Sequence, residues 1–589
     1  MNKKVEIVQQ WQYLGKVHPK LLEDEAFERC KQAGITSLQS YLYWAEIEKE
    51  PGKIDFSSYD VLVEKLKKHN LKWVPFLILG PEYATPQWFQ ESKESVFAKC
   101  LEHKEESKIQ SIWNPDLPKY IDRFLRLVSE HYQDKSIFES ILLGISGNWG
   151  EAIYPDKGGF HANFHTHLGW WCGDEYARSS FVNSIFNKYQ SLAKINIAWD
   201  TNFQKIEEIK PPPLNNKTKG KLIYYLVNIL SKFPPSFKKY LRIIRNGISA
   251  LTEQTFFLTA EVGTQPAKIN SKKEKQYWLD FVGWYIDSMT TFAEFWLKAA
   301  RKYFPTTEIY LVTGGIGEPA AGADFSQQVK VAQKYNAGVR ITNQSDDYSQ
   351  SFILSRLVSS AARFYNSYFN TEEAGVNEPE AIIMRLFDAV VSGADGFYCK
   401  SIIGTGKDLC TKKNFELGKP TKGAANLSKN LHYLLRAERP IIKNAVFWPN
   451  TSIAFESAII TSIYNKAAQI RDILDFDLID EKMILDGALE NYKFFVVLAG
   501  EIPEGEVSNK VKNWERRGGK LIIFPPRKEL EALSKKADNI DNEDDGVYAT
   551  RFEDKIIYYN SNNKKIQKKV NFLNKTIEIE KNSIVSINL

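Results

Sequence analysis

Along roughly the first 400 residues, short apolar runs alternate with stretches whose apolar residues recur at helical spacing. Val5 to Gln10, Ser37 to Tyr43, Lys72 to Ile78 and Ile137 to Ile145 have the dense apolar, aromatic and β-branched content of strands. Between them, Leu21 to Lys31, Tyr59 to His69 and Pro118 to Tyr132 read as helices. After a long excursion the alternation resumes with a helix at Gln276 to Tyr303. Strands at Glu308 to Thr313, Gly338 to Thr342, Asn366 to Thr371 and Asp395 to Tyr398 follow. Helices at Gln327 to Tyr335, Phe352 to Phe364 and Pro379 to Ser392 fall between these later strands. Eight strand–helix repeats over this length predict an α/β fold, a (β/α)8 TIM barrel spanning residues 1–435. Two doubly wound sheets would need a break near the middle, and the pattern shows none. In such a barrel the chemistry sits at the carboxyl ends of the strands, so the residues just after each strand are the ones to interrogate.

The excursion, at about residues 152–275, opens with Tyr154, Pro155, His161, His165, His167, Trp170 and Trp171 and passes through Pro211-Pro212-Pro213. Residues 205–245 hold ten Lys or Arg against Glu207 and Glu208, with an apolar and aromatic run at Leu222 to Leu230. Such a segment suits docking on an anionic glycan or a membrane surface. A helical cover with a solvated basic face explains it as well and is the plainer reading.

From residue 436 the texture changes. Strand-like Val446 to Trp448, Phe494 to Ala499 and Lys520 to Phe524, with helical Ala458 to Phe476 and Lys510 to Arg517, predict a small α/β domain over 436–537. An acidic linker, Asp538 to Asp545, precedes a small β-domain over 546–589, with strands from Val547 to Ile587.

Composition narrows the classes. With 589 residues, 43% hydrophobic and 25% charged, the chain is globular and multidomain. Its longest apolar runs are far too short to cross a bilayer, and Met1 to Gln12 lacks the apolar core of a signal peptide, so the expectation is a cytoplasmic protein. The net charge of +6 is small for this length and argues against nucleic acid as a partner. Cys30, Cys100, Cys172, Cys399 and Cys410 form no pair with metal spacing, so neither a metal site nor a cofactor is expected. Close His161, His165 and His167 could ligate a metal, but with no cysteine near them in sequence they read better as cleft-lining or capping residues. The 14 Trp, 28 Tyr and 35 Phe are the unusual entry, because aromatic rings both fill cores and stack on the apolar faces of sugars.

Two carboxylates fall at strand ends. The fourth strand runs into Gly144-Ile145-Ser146-Gly147-Asn148-Trp149-Gly150-Glu151, which places Glu151 in a glycine-rich loop between Trp149 and Tyr154. Partial burial there would raise its pKa toward that of a general acid. The seventh strand runs into Asn370-Thr371-Glu372-Glu373. Adjacent residues of a strand face opposite ways, so only one of Glu372 and Glu373 can enter the barrel mouth; Glu372 is preferred, as the strand is expected to end just before it. A pair of carboxylates across a barrel mouth is the minimal machinery of glycoside hydrolysis. Trp44, Trp88, Trp149, Tyr154 and Trp170 lie after strands or in the excursion as candidate sugar platforms, with Asn148 and Asn343 as candidate hydroxyl ligands. Gly314-Gly315-Ile316-Gly317 lacks a phosphate-loop lysine and reads as a tight turn.

These residues carry a resemblance. Gly150-Glu151-Ala152-Ile153-Tyr154-Pro155 resembles the element around the catalytic acid of family 14 glycoside hydrolases, the β-amylases, and Asn370-Thr371-Glu372 stands where that family has its second glutamate. Tyr43-Trp44-Ala45-Glu46 with Glu50-Pro51-Gly52-Lys53-Ile54-Asp55-Phe56, Thr85-Pro86-Gln87-Trp88-Phe89 and Gly393-Ala394-Asp395-Gly396 resemble family 42, the β-galactosidase type. The tail follows the family 42 order, an amidotransferase-like (flavodoxin-like) α/β module and a β-domain, which implies a homotrimer. No cysteine follows Cys410 and no histidine follows His432, so that module is expected to be non-catalytic. The resemblance implies a glycosidase acting on a β-linked, galactosidic-type oligo- or polysaccharide, with Glu151 as acid/base and Glu372 as nucleophile. The chain departs from family 42 in having Asn148 three residues before the acid instead of adjacent, and in lacking the family's zinc-binding cysteine cluster. Retention (family 42) and inversion (family 14) both stay open. So do a carbohydrate-binding protein on a retired barrel and a polysaccharide-processing protein that docks through 205–245.

Overall fold

In a computed structural model of the chain, the apolar runs of the first 400 residues close into a barrel. Its eight strands are Glu6–Gln12, Ser37–Tyr43, Lys72–Ile78, Ser140–Gly144, Glu308–Thr313, Gly338–Asn343, Tyr368–Glu373 and Gly396–Cys399, and each pairs with its chain neighbours. All of these pairings are parallel. The structure describes residues 5–12, 16–156, 164–215, 266, 269–343, 345–373, 378, 381–400, 402–407, 414–434, 438–471, 473–523, 528–529, 531–532, 546–570 and 573–589. His161 and most of the basic segment 205–245 lie outside these residues, as does the acidic linker.

Period-two alternation sorts the strand residues. Val74, Phe76 and Ile78 join Val8, Tyr41, Tyr43, Leu142, Tyr310, Val312 and Tyr398 in the barrel interior. Their neighbours Trp73, Leu77, Leu38, Leu42, Ile141, Leu143, Ile309 and Leu311 pack outward, under the helices. Strands buried on both faces need continuous apolar runs, which is why these segments stand out in the sequence.

Several boundaries differ from the sequence expectation, two of them beside the candidate site. The fourth strand begins at Ser140, because Lys135–Ile137 forms a 3-10 turn capped by Asp134. The seventh strand continues through Glu373, with Thr342 opposite Glu372 and Asn343 opposite Glu373. Between the third strand and the helix Leu117–His131, a hairpin of Phe97–Lys99 and Glu106–Gln110 appears where the sequence showed no pattern. Its strands are short and sit among polar residues, leaving little alternation to read.

Beyond the barrel, a parallel sheet in the order Asp477–Asp480, Asn444–Trp448, Phe494–Val497, Lys520–Ile523 has the flavodoxin-like arrangement. The helix expected over Ala458 to Phe476 stops at Arg471, and the edge strand Asp477–Asp480 follows where no strand was expected. Val547–Arg551, Lys555–Asn560 and Ser583–Asn588 form an antiparallel sheet accompanied by the hairpin Ile566–Val570 and Lys575–Ile579. No helix among the described residues is long and apolar enough to cross a membrane.

Buried charge joins the three parts. Arg356, on the helix Tyr348–Tyr365 of the barrel, donates to Asp475 at 2.9 Å and Asp477 at 3.2 Å in the α/β part. Asp475 also accepts from Thr550 of the β part at 2.6 Å. Arg471 donates to the Ala549 carbonyl, Thr550 Oγ1 and Tyr348 Oη. Both guanidiniums are fully buried. Arg356→Ala strips a buried countercharge from two aspartates and is expected to destabilise by about 3–5 kcal/mol. The measurement is the midpoint of the first urea transition, which should fall well below that of the wild type.

Candidate active site

The loop after the fourth strand is closed on itself. Ser146 bridges Gly150 in antiparallel fashion, and the Ile145 amide donates to the Gly150 carbonyl at 2.8 Å. Gly147 and Gly150 have φ of +62° and +109°, a region that favours glycine. A Cβ on Gly150 would also stand 3.1 Å from the Phe76 ring and 3.2 Å from Gly144 Cα. A side chain at the position just before Glu151 would be strained, and glycine stands there instead of Asn. On the other side of Glu151, the Ala152 amide donates to the Val312 carbonyl of the fifth strand at 2.7 Å, and Gln328 holds the Ala152 carbonyl at 2.9 Å. Glu151 is thereby laid across Gly314, where a Cβ would come 3.0 Å from its Cγ.

Glu151 is 9% exposed. Burial pushes its carboxyl from 4.5 up to about 7, the charge of nearby Glu372 adds to the rise, and a long hydrogen bond from Thr342 Oγ1, 3.4 Å, opposes it. Its Oε2 is enclosed and has no hydrogen-bond partner among the described residues.

Glu372 lies 4% exposed, on the same side of its strand as Tyr368, whose ring packs against the interior cluster. Arg340, two residues before Thr342 on the sixth strand, donates to Glu372 Oε2 at 2.5 Å and to Gln39 Oε1 at 2.6 Å. The guanidinium is 1% exposed and sits over the Tyr398 ring at 4.6 Å, so the ion pair is held by packing as well as by charge. The side chain of Glu373 lies outside the described residues. Tyr83 completes the group. Its hydroxyl is enclosed, and burial first, then the charges of Glu151 and Glu372, hold its pKa well above the ordinary phenol value. It is therefore a neutral group beside both carboxyls.

The sequence reading missed Arg340, Tyr83, Thr342 and Gln39. A signal existed for Arg340, since a cation inside the run Gly338 to Asn343 has no reason to be there unless the barrel interior holds an anion.

Several candidates belong elsewhere. Trp44 is fully buried, donates to Glu48 Oε2 at 2.7 Å and packs on Trp88, Phe89 and Tyr120. Trp88, half-buried, donates to the Glu48 carbonyl at 3.0 Å. With Arg123 and the Gly52 amide also on Glu48, this segment is a structural clamp and not a sugar platform. Tyr154 stacks on Tyr285 and Trp113 and donates to the Tyr285 carbonyl at 2.8 Å, and Trp170 is enclosed by Trp278, Phe281 and Tyr285. Both are core, because the excursion folds back on the long helix Lys272–Tyr303. Asn148 ties its own loop to the Asp156 backbone, and Asn343 caps Ser351 and Ser355, so neither amide is directed at a ligand. Trp149 is half-buried. His165 and His167, read as cleft or capping residues, gather instead with Cys100 and His103 from the hairpin, a meeting of segments that sequence spacing could not show.

The raised Glu151 carboxyl gives a signed prediction. Protonation favours the folded state, so this stabilisation is full below about 4.5, is lost as pH rises to about 7, and is absent above. Glu151→Gln should match the wild type near pH 4 and be more stable at pH 8, by up to about 3 kcal/mol. Urea titrations at the two pH values measure the difference.

Comparisons with known proteins bear on the fold around these residues. A family model described as β-galactosidase matches residues 13–141. The β-amylase of Cytobacillus firmus is 26% identical over 209 residues, 31% of this chain and 42% of that relative, so the match spans less than half of the relative's length. A β-galactosidase from Bacillus circulans sp. alkalophilus superposes over 100% of this chain and 99% of its own, with a TM-score of 0.68 at 14% identity. The catalytic domain of β-amylase from Paenibacillus polymyxa superposes over 72% of this chain and 98% of its own, with a TM-score of 0.53 at 19% identity. The chain thus has the fold of these β-galactosidases, and part of it is similar in sequence to β-amylases.

Proposed function

We propose that the protein hydrolyses a β-linked, galactosidic-type oligo- or polysaccharide by retention, with Glu151 as general acid/base and Glu372 as nucleophile. One observation carries this reading. Two buried carboxyls converge at the strand ends in different states, one raised to about 7 by burial and one bound to a guanidinium. Below pH 7 Glu151 holds the proton that the departing glycosidic oxygen needs. Glu372, aimed inward from the seventh strand, supplies the negative charge that attacks the anomeric carbon. Deglycosylation then returns a water proton to Glu151 acting as base. Tyr83, neutral and beside both carboxyls, is placed to donate to the reacting sugar or to Glu372.

The β-galactosidase-like architecture supports the galactosidic preference and a homotrimer built through the α/β part. The β-amylase relatives and the Gly150-Glu151-Ala152-Ile153-Tyr154-Pro155 element favour a second reading, inversion, in which Glu372 is a general base for water. The basic segment 205–245 stands in both readings as the contact for an anionic glycan or membrane surface, and the enzyme is read as cytoplasmic.

Glu151→Gln is expected to slow turnover of unactivated glycosides by about 100- to 10,000-fold and that of aryl glycosides with good leaving groups far less. Glu372→Gln should abolish both. In the wild type kcat/KM should fall as pH rises through about 7. Proton NMR of the first sugar released from a β-linked substrate decides stereochemistry, the β-anomer meaning retention and the α-anomer inversion. Full activity in Glu151→Gln would remove the assignment and leave a carbohydrate-binding barrel with another centre.

A further inference from the structure

Polar side chains inside a barrel need partners, and one amide level with Glu372 has only half of its own. Strand tilt sets the inward residues of alternate strands in common layers, and the parallel register around the barrel says which residues share one. Gln10, Phe76, Val312 and Glu372, on the first, third, fifth and seventh strands, form a layer near the mouth. Gln39, Arg340 and Tyr398, on even strands, lie in the layer beneath. The side-chain contacts agree, since Arg340 donates to Gln39 and Glu372 and stands over the rings of Tyr398 and Phe76 at 4.6 and 5.7 Å. Gln10 and Glu372 thus flank the eighth strand at one height.

Tyr398 fixes how the Gln10 amide is turned. Burial holds the phenol neutral, and its hydroxyl donates to Gln10 Oε1. The oxygen is thereby committed to the layer below. Nε2, with two donor hydrogens, has no acceptor among the described residues, although Gln10 is only 2% exposed. An enclosed donor left unpaired is costly, so the acceptor has to come from outside the chain. The first strand also bulges just past Gln10, where its pairing with the second strand shifts between Gln10 and Gln12, a device that re-aims side chains at barrel rims. The Gln39 amide nitrogen lacks a partner as well, but it lies one layer deeper, and its oxygen is taken by Arg340. Gln10 is therefore the amide that a molecule resting on the upper layer meets first.

We propose that Gln10 is a substrate-binding residue whose Nε2 donates to a ring hydroxyl of the sugar seated on Glu372, and that it selects for sugars carrying a hydroxyl at that place. The inference rests on the glycosidase reading and adds to it a specificity residue on the opposite side of the eighth strand from the nucleophile. A sugar held with its anomeric carbon at Glu372 spreads its ring over the layer that Gln10 shares, and an uncharged amide suits the uncharged oxygen of a hydroxyl. No bond is made or broken at Gln10. Its effect is discrimination, because a ring lacking that hydroxyl leaves the amide enclosed and unpaired.

The test uses the full chain, the aryl glycoside that the wild type hydrolyses fastest, and its monodeoxy analogues lacking each ring hydroxyl in turn. Gln10→Met, similar in size but without the donor, is expected to lower kcat/KM on the parent glycoside by about 10- to 100-fold. On one analogue, already about tenfold or more poorer for the wild type, the two proteins should become equal, since the hydroxyl and the amide are lost as a pair. An equal loss on the parent and on every analogue would mean a merely structural or water-binding amide and would overturn the inference. Gln10→Asn keeps an amide one methylene shorter and serves if Gln10→Met fails to fold, with the same pattern and a smaller loss expected. A wild type that hydrolyses no aryl glycoside breaks the glycosidase reading instead. Calorimetric binding of 4-nitrophenyl β-galactoside and its monodeoxy analogues to wild type and Gln10→Met then reads the same pairing, and absent or equal affinities overturn it.

Discussion

One guanidinium sets the electrostatics of the barrel mouth. Two carboxyls at the strand ends cannot both ionise cheaply where water is excluded, and among the described residues only Glu372 has a cation, Arg340, at hydrogen-bonding distance. Glu151 receives the opposite treatment, with no countercharge in contact among the described residues, an enclosed oxygen, and the field of Glu372 across the mouth. The two carboxyls thus sit in different surroundings, one enclosed and raised by burial, the other bonded to an arginine on the sixth strand. Its packing over Tyr398 and its bond to Gln39 keep it there.

The backbone around Glu151 is organised to let a carboxyl lie where space is short. Glycines at 147, 150 and 314 leave room that a single Cβ would fill, and Ala152 is held by both the fifth strand and Gln328. The aromatic residues nearby play a supporting part. Tyr154, Tyr285, Trp113 and Trp170 form a packed wall behind the loop, and the hairpin-to-excursion contacts of Thr166 and Asn148 brace its other end. Farther out, Arg356, Asp475, Arg471 and Thr550 knot the barrel to both later parts.

Much of this was legible in the residues. Continuous apolar runs mark strands buried on both faces, and all eight barrel strands show in the pattern for that reason. Glu151 was conspicuous because a carboxylate among glycines at a strand end serves no packing purpose. The short edge strand Asp477–Asp480 escaped because its four residues, two of them aspartates, carry too little alternation to separate from the preceding helix.

The sequence on its own determined the barrel, the order of its parts and the two strand ends where acids collect, since these follow from local periodicity and chain order. Tertiary structure alone decided which partners each side chain met. Tyr368 and Phe369 are both aromatic, so strand parity was ambiguous until the barrel closed and turned Glu372 inward onto Arg340. Trp44, Tyr154 and Trp170 sit where platforms would be expected, yet the clamp on Glu48 and the return of the excursion onto its long helix enclose them. Cys100 and His165 are 65 positions apart in the chain and 3.3 Å apart in space. Contacts of that range depend on how the barrel brings its loops together, and no local pattern encodes them.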